Sequence, residues 1–232
     1  PEEIIRKVTD SITNYFFTTS EVANQNLRRE GIKEEKIFFV GNTMIDTLLK
    51  NIPRLKQPQI WLDNDLKEKE YIVMTLHRPA NVDDPANLLK LVKIVSETVA
   101  PNKIIFPIHP RTRKVYESLD LQPKNIILSQ PMGYLEFNYL VKNAKVVITD
   151  SGGITEETTV MKVPCLTLRD STERPETCTM GTNQLIGTDP NKLIEPLKDI
   201  FEGNWKKGEI PELWDGKTAD RIAEILERIL KY

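Results

Sequence analysis

The sequence predicts an α/β protein, a parallel sheet with helices on both faces, and three observations carry that expectation. From Tyr71 onward, short β-branched apolar runs alternate with amphipathic helical patterns. The stretch Val146 to Glu157 is an apolar run that breaks at Gly152-Gly153 and then turns acidic and helical. Residue types suited to chemistry gather directly after the apolar runs, at the strand ends where open parallel sheets bind ligands.

Taken in order, the first element is a helix over about 2–13, opening on Pro1-Glu2-Glu3 as a first turn. A strand at Tyr15-Phe16-Phe17, a helix over 20–30 stopped by Gly31, a strand at Ile37–Val40 and a helix over 43–51 follow. These are too few elements to close a unit. A linker-like region runs from Pro53 to Pro58. Strands are then expected at Tyr71–Leu76, Lys103–Ile108, Asn125–Leu128, Lys145–Thr149, Pro164–Leu168 and Asn183–Ile186. Helices are expected near 85–99, 111–119, 134–143, 154–162 and 190–202, and an amphipathic segment from about Thr218 to Leu230 closes the chain. No internal repeat or low-complexity tract interrupts the pattern.

Composition narrows the function classes. With 232 residues, 39% hydrophobic and 28% charged, the chain suits one large or two modest globular domains. A formal net charge of −2 offers no single-sign field for a polyanion, so nucleic acid is not an expected partner. No apolar run approaches the roughly 20 residues of a membrane span, so no membrane partner is expected either. Cys165 and Cys178 form neither a metal-type nor a redox-type spacing, and no metal site is expected. The reading is a soluble, reduced, cytoplasmic protein. Because the chain begins at Pro1 in mid-helix without a methionine, a preceding segment is expected in the parent protein.

The strand ends supply the candidate site. His77-Arg78-Pro79 follows the first central run, His109-Pro110-Arg111 the second, Asp150-Ser151-Gly152-Gly153 the fourth, and Arg169 to Glu176 the fifth. The two histidines of the chain thus occupy equivalent places. Gly152 and Gly153 are expected to let the backbone turn sharply and approach a ligand. The helix behind them offers unpaired N–H groups and a positive dipole end, which together make a phosphate seat. An ordinary strand-to-helix turn is the plainer alternative. Carboxylates beside a phosphate would repel it, so Glu157 is assigned to the paired hydroxyls of a ribose, although Glu156 and Glu157 could merely complement the dipole. His109 is as well read as a stiff structural turn, and Arg174 as a surface ion pair with Glu173 or Glu176.

In this order the residues resemble the non-hydrolysing UDP-N-acetylglucosamine 2-epimerases. The likeness runs through Pro1-Glu2-Glu3 with Arg6, Asn26-Leu27 to Glu30-Gly31, Val40-Gly41-Asn42-Thr43, Leu76-His77-Arg78 and Pro107-Ile108-His109. It continues through Thr149 to Glu157 and Thr172-Glu173-Arg174-Pro175-Glu176 with Gly181, the last two strings being the specific ones. The resemblance implies the second half of a two-domain GT-B-type (glycogen-phosphorylase-like) fold. On that reading residues 1–42 are the tail of a first Rossmann-like domain, 43–215 the UDP-binding Rossmann-like domain and 216–232 a helix crossing back. It implies elimination of UDP and its re-addition through a 2-acetamidoglucal, interconverting UDP-GlcNAc and UDP-ManNAc without a cofactor, in a homodimer serving cell-surface polysaccharide synthesis.

Residue by residue, the resemblance makes Ser151, Gly152 and Gly153 phosphate contacts, Glu157 the ribose contact, and Glu173 and Arg174 further UDP-binding residues. His77 would face the departing diphosphate, and Glu2 would be one of the catalytic acidic groups for proton transfer at sugar C2, with Arg6 one helical turn away on the same face. Glu2 has the plainer reading of first-turn dipole complementation. The frequent Arg-Glu-Asn of the family is here Pro79-Ala80-Asn81, which argues against activation by a second nucleotide, although Arg78 and His109 match positions of such a second, allosteric site. The family's first half would lie before Pro1, so the chain alone is expected to be catalytically incomplete. A GT-B-type UDP-sugar glycosyltransferase and a non-catalytic UDP-binding subunit of a split enzyme are the competing readings.

Overall fold

A computed structural model describes residues 2–120 and 123–231, with Glu2 described by its backbone alone. The expectation that Pro1 starts the first helical turn lies outside the described residues. The chain divides into two compact units, one of residues 1–50 with 211–232 and one of Asn51–Ile210.

The larger unit holds six strands, β3 (Tyr71–Thr75), β4 (Lys103–Pro107), β5 (Ile126–Ser129), β6 (Val146–Thr149), β7 (Cys165–Thr167) and β8 (Asn183–Leu185). All pair in parallel, in the order β5-β4-β3-β6-β7-β8. Alternate side chains of a strand point to opposite faces, and both faces of β3 are buried. Ile72 and Met74 join a cluster with Leu88, Leu91, Val95 and Phe106, while Tyr71 and Val73 join one with Ile105, Leu140 and Val147. Burial on both faces explains why these strands read as continuous apolar runs. The helices Pro85–Val99, Tyr134–Asn143 and Gly152–Val160 occur where periodicity predicts them, within a residue or two at each end, while Ile194–Glu202 begins four residues later than expected, after a 3-10 turn at Pro190–Leu193.

Chain order along the sheet reverses between β3 and β6, whose Thr75 and Thr149 lie in register. At such a switch point the loops leaving the two strands diverge and open a crevice at their carboxyl ends. Three short helices were not anticipated, Gln59–Asp63, Pro79–Val82 and Pro175–Thr179; the last two lie in what the sequence suggested were rim loops. Each spans about one turn, too little for a hydrophobic period to show.

The smaller unit pairs β1 (Phe16–Thr18) with β2 (Ile37–Phe39) in a two-stranded parallel ribbon. Helix Glu21–Arg29 is capped by Ser20, and helix Thr218–Leu230 is capped by Asp46, which accepts from the N–H groups of Thr218 (3.2 Å) and Ala219 (2.8 Å). Trp214 donates its indole N–H to the Thr19 carbonyl. Gly41 sits at φ 101°, and a Cβ there would collide with the Leu213 carbonyl oxygen at 2.2 Å. On helix Glu2–Ile12 the apolar side chains Ile4, Ile5, Val8 and Ile12 are exposed. Among the described residues, no helix is long and apolar enough to cross a membrane.

Candidate functional site

Asp150, the residue immediately after β6, organises the switch point. Its carboxylate is fully buried and accepts from the backbone N–H groups of His77 (3.0 Å) and Arg78 (2.9 Å) and from the Asn81 amide (3.1 Å). His77 Nδ1 lies 2.7 Å from Asp150 Oδ1. Arg78 Nε donates to the Asp150 carbonyl, and Asn81 also donates to the Leu168 carbonyl. One buried carboxylate therefore ties the loop after β3 to the loop after β6, and turns His77 so that Nδ1 faces inward and Nε2 is left for solvent or ligand.

Ser151 is the N-cap of helix Gly152–Val160, yet its hydroxyl makes no cap bond; its own N–H is taken by the Thr149 hydroxyl. The first-turn N–H groups therefore lack a side-chain partner of the usual capping kind, which suits an anion. The glycines serve differently from the expectation. Neither Gly152 nor Gly153 lies in the left-handed region; both are ordinary first-turn helical residues. What their missing side chains give is room: a Cβ on Gly153 would meet nothing within 4 Å, and one on Gly152 would meet Arg169 Nη1 at 3.3 Å.

Arg169, almost fully buried, is gripped by Glu173 through two parallel bonds of 2.6 and 2.9 Å. Glu173 is held below the usual carboxylate range by that guanidinium. Arg174 pairs with Glu156, rather than with Glu173 or Glu176 as the surface reading has it. Glu156 lies on the same helix face as Gly152, four residues on. Glu176 is buried, neither of its carboxylate oxygens has a hydrogen-bond partner among the described residues, and burial pushes its carboxyl upward.

Glu157 is also buried, and burial raises its carboxyl, opposed by the Tyr134 hydroxyl. It accepts the Tyr134 hydroxyl at 2.8 Å. Beside His77 a cavity of about 220 Å³ is lined by His109, Pro131, Met132 and Phe137. His109 caps the helix Pro110–Glu117 by accepting the Arg111 N–H at 3.2 Å, so it has the structural role that its setting between prolines suggests while still facing the cavity.

The larger unit thus brings together His77, Arg78, Ser151, Gly152, Gly153 and Glu173, with Glu157 and Arg174 on or against the same helix. Asp150, Asn81, Arg169 and Tyr134 were missed as site residues by sequence reasoning. Asp150 and Arg169 stand in the strand-end positions that identified their neighbours, and that signal could have found them. Glu2 and Arg6 belong to the smaller unit, where the side chain of Glu2 lies outside the described residues. Arg6 is engaged by Glu3, Asp10 and Glu30 on the surface. Among the described residues no group of three or more His, Cys, Asp or Glu is arranged to hold a metal.

A family model described as UDP-N-acetylglucosamine 2-epimerase matches residues 1–227. A protein of Methanocaldococcus jannaschii named UDP-N-acetylglucosamine 2-epimerase is 42% identical over 97% of this chain and 64% of its own length. A Pseudomonas aeruginosa protein named UDP-2,3-diacetamido-2,3-dideoxy-D-glucuronate 2-epimerase is 36% identical over 99% of the chain and 64% of its own length. The crystal structure of the M. jannaschii enzyme in complex with UDP-GlcNAc and UDP superposes with a TM-score of 0.83, covering 98% of this chain and 65% of that one. The α/β, GT-B-type architecture is shared, and the chain spans about 64% of the length of the curated relatives it matches.

Proposed function

The chain belongs to the UDP-N-acetylglucosamine 2-epimerase family, and on that premise we propose that it forms the uridine-diphosphate-binding portion of a UDP-N-acetylglucosamine 2-epimerase. The observation that carries this reading is the open first turn of helix Gly152–Val160, set beside the switch point and faced by Arg169 and the His77 loop. The N–H groups at Gly152 and Gly153 and the Ser151 hydroxyl would bind the diphosphate, with Arg174 supplying positive charge. Glu157, buried and already hydrogen-bonded to Tyr134, would accept the ribose hydroxyls. The cavity floored by Met132 and Phe137 would take the flat base.

In the reaction, a base removes the C2 proton while the C1–O bond to the diphosphate breaks, and the electron pair of that bond leaves with UDP. Re-addition to the 2-acetamidoglucal with protonation at the opposite C2 face gives UDP-ManNAc. His77, oriented by Asp150, would stabilise the departing diphosphate through Nε2. Glu2 would serve proton transfer at C2 with the Arg6 cation one helical turn away, and the remaining catalytic groups would come from the third of the relatives' length that this chain does not span. Arg78 and His109 would contribute to a second nucleotide site if one forms. We place the enzyme in the cytoplasm as a homodimer feeding cell-surface polysaccharide synthesis.

Titration calorimetry of UDP against the chain tests the seat, and no heat at millimolar ligand would refute it. Deuterium uptake at sugar C2 in heavy water, measured after adding the complementary segment of a relative, tests the chemistry. A glycosyltransferase would show none, and a UDP-binding subunit of a split enzyme would show uptake only once its complement is added.

A further inference from the structure

The first turn of helix Gly152–Val160 presents the positive end of a dipole. Against it lies a second positive element, because a Cβ on Gly152 would come within 3.3 Å of Arg169 Nη1. The Arg169 side chain is only 9% exposed, so water does little to screen it. Two such features repel each other, an anion beside both relieves that repulsion, and the structure supplies one from the protein itself. Glu173 Oε1 and Oε2 accept from Arg169 Nη2 and Nη1 at 2.6 and 2.9 Å, and the same Cβ would lie 3.7 Å from Glu173 Oε2. Arg78 adds further positive charge near this carboxylate. Yet the Glu173 side chain is 65% exposed, so no packing fixes it in place.

We propose that Glu173 is an internal stand-in for phosphate, occupying Arg169 in the free protein and displaced from it when a diphosphate enters the seat. The inference rests on the reading of Gly152–Val160 as that seat. It reverses the role that the resemblance gives Glu173, since a carboxylate beside a bound diphosphate repels it, and it makes Arg169 a direct phosphate contact. The stand-in keeps the guanidinium in a fork geometry suited to two oxygens, so that phosphate oxygens replace carboxylate oxygens on a cation already aimed.

The sign of one substitution separates this from the alternatives. A residue that contacts the ligand, or that only holds Arg169 in place, weakens binding when neutralised; a competitor strengthens it. Glu173→Gln keeps the shape and removes the charge, at a largely exposed position that leaves the fold intact. Calorimetry should show UDP and inorganic pyrophosphate each binding Glu173→Gln about three- to tenfold more tightly than wild type, and uridine binding both alike. Arg169→Ala should weaken UDP about tenfold or more. Arg169→Lys, which keeps the charge but loses the fork, should show most of that loss while melting like wild type. Unchanged or weaker UDP binding by Glu173→Gln, or an equal gain for uridine, overturns the stand-in. A wild-type chain that binds neither UDP nor pyrophosphate removes the seat itself, and the stand-in with it.

Discussion

Arg169 in the larger unit and Arg6 in the smaller one are both held by carboxylates, and the contrast between them is that of a buried ion pair with a solvent-screened one. Arg6 is 40% exposed and shared among Glu3, Asp10 and Glu30. Water screens each of those pairs, and their summed contribution is small. Arg169 is buried, has one bidentate partner and faces a helix terminus that carries its own positive potential. The number of ionic partners does not set the strength of an ionic contact; desolvation beside a fixed dipole does. The same division runs through the packing. The larger unit buries both faces of its sheet, whereas the smaller leaves Ile4, Ile5, Val8 and Ile12 in solvent on one helix.

Five substitutions test the contrast. Asp150→Ala should have the largest effect, because it strands the His77 and Arg78 N–H groups and the Asn81 amide at a buried point. We expect a loss of about 3 kcal/mol or more in urea unfolding of the larger unit, together with loss of UDP binding. A loss under about 1 kcal/mol would mean that the switch point is held by something else. Next, Ser151→Ala and Glu157→Ala should each weaken UDP by about 1–3 kcal/mol in calorimetry, with little change in melting temperature for the former. Unchanged affinity in both would break the analogy between Arg169's surroundings and a site.

Glu176→Gln should show a smaller, pH-dependent effect. Burial raises the folded-state carboxyl, so its contribution to stability is complete below the unfolded pKa of about 4.3 and is lost as pH rises through the folded value. The glutamine variant should therefore overtake wild type in stability above that point by about 1–2 kcal/mol, and the advantage should vanish in acid. An advantage that is equal at pH 4 and pH 8 would show that packing, not ionisation, is responsible. Smallest of all, Arg6→Ala should change stability by less than about 1 kcal/mol, an amount already discounted for solvent screening and further reduced by salt. A larger, salt-insensitive loss would remove the distinction between the two arginines.

The alternation of strands and helices was legible because each β strand buried on both faces leaves an uninterrupted apolar run and each covering helix leaves a 3.6-residue period. The rim was legible because ligands of such sheets bind where runs end, which singled out His77, Ser151 and Gly152. What sequence could not supply was pairing. Arg174 has acidic neighbours at 173 and 176, but its partner is Glu156, eighteen residues earlier and brought near only by the turn of β6 into its helix. Asp150 reads as one polar residue in a string, and its four donors come from a segment about seventy residues away. The glycines illustrate a different gap, since their type announces freedom of backbone angle and the fold uses only their lack of bulk.

The bonds to Asp150 have one more consequence, for motion. The amides of His77 and Arg78 sit in a loop, where exchange with solvent is ordinarily fast, but their acceptor is a carboxylate that solvent does not reach. Deuterium should replace those two protons about as slowly as it does those of the strands beside them. A loop with that behaviour moves as part of the sheet, and a nucleotide arriving at it meets a surface whose ordering entropy was lost during folding and need not be lost again on binding.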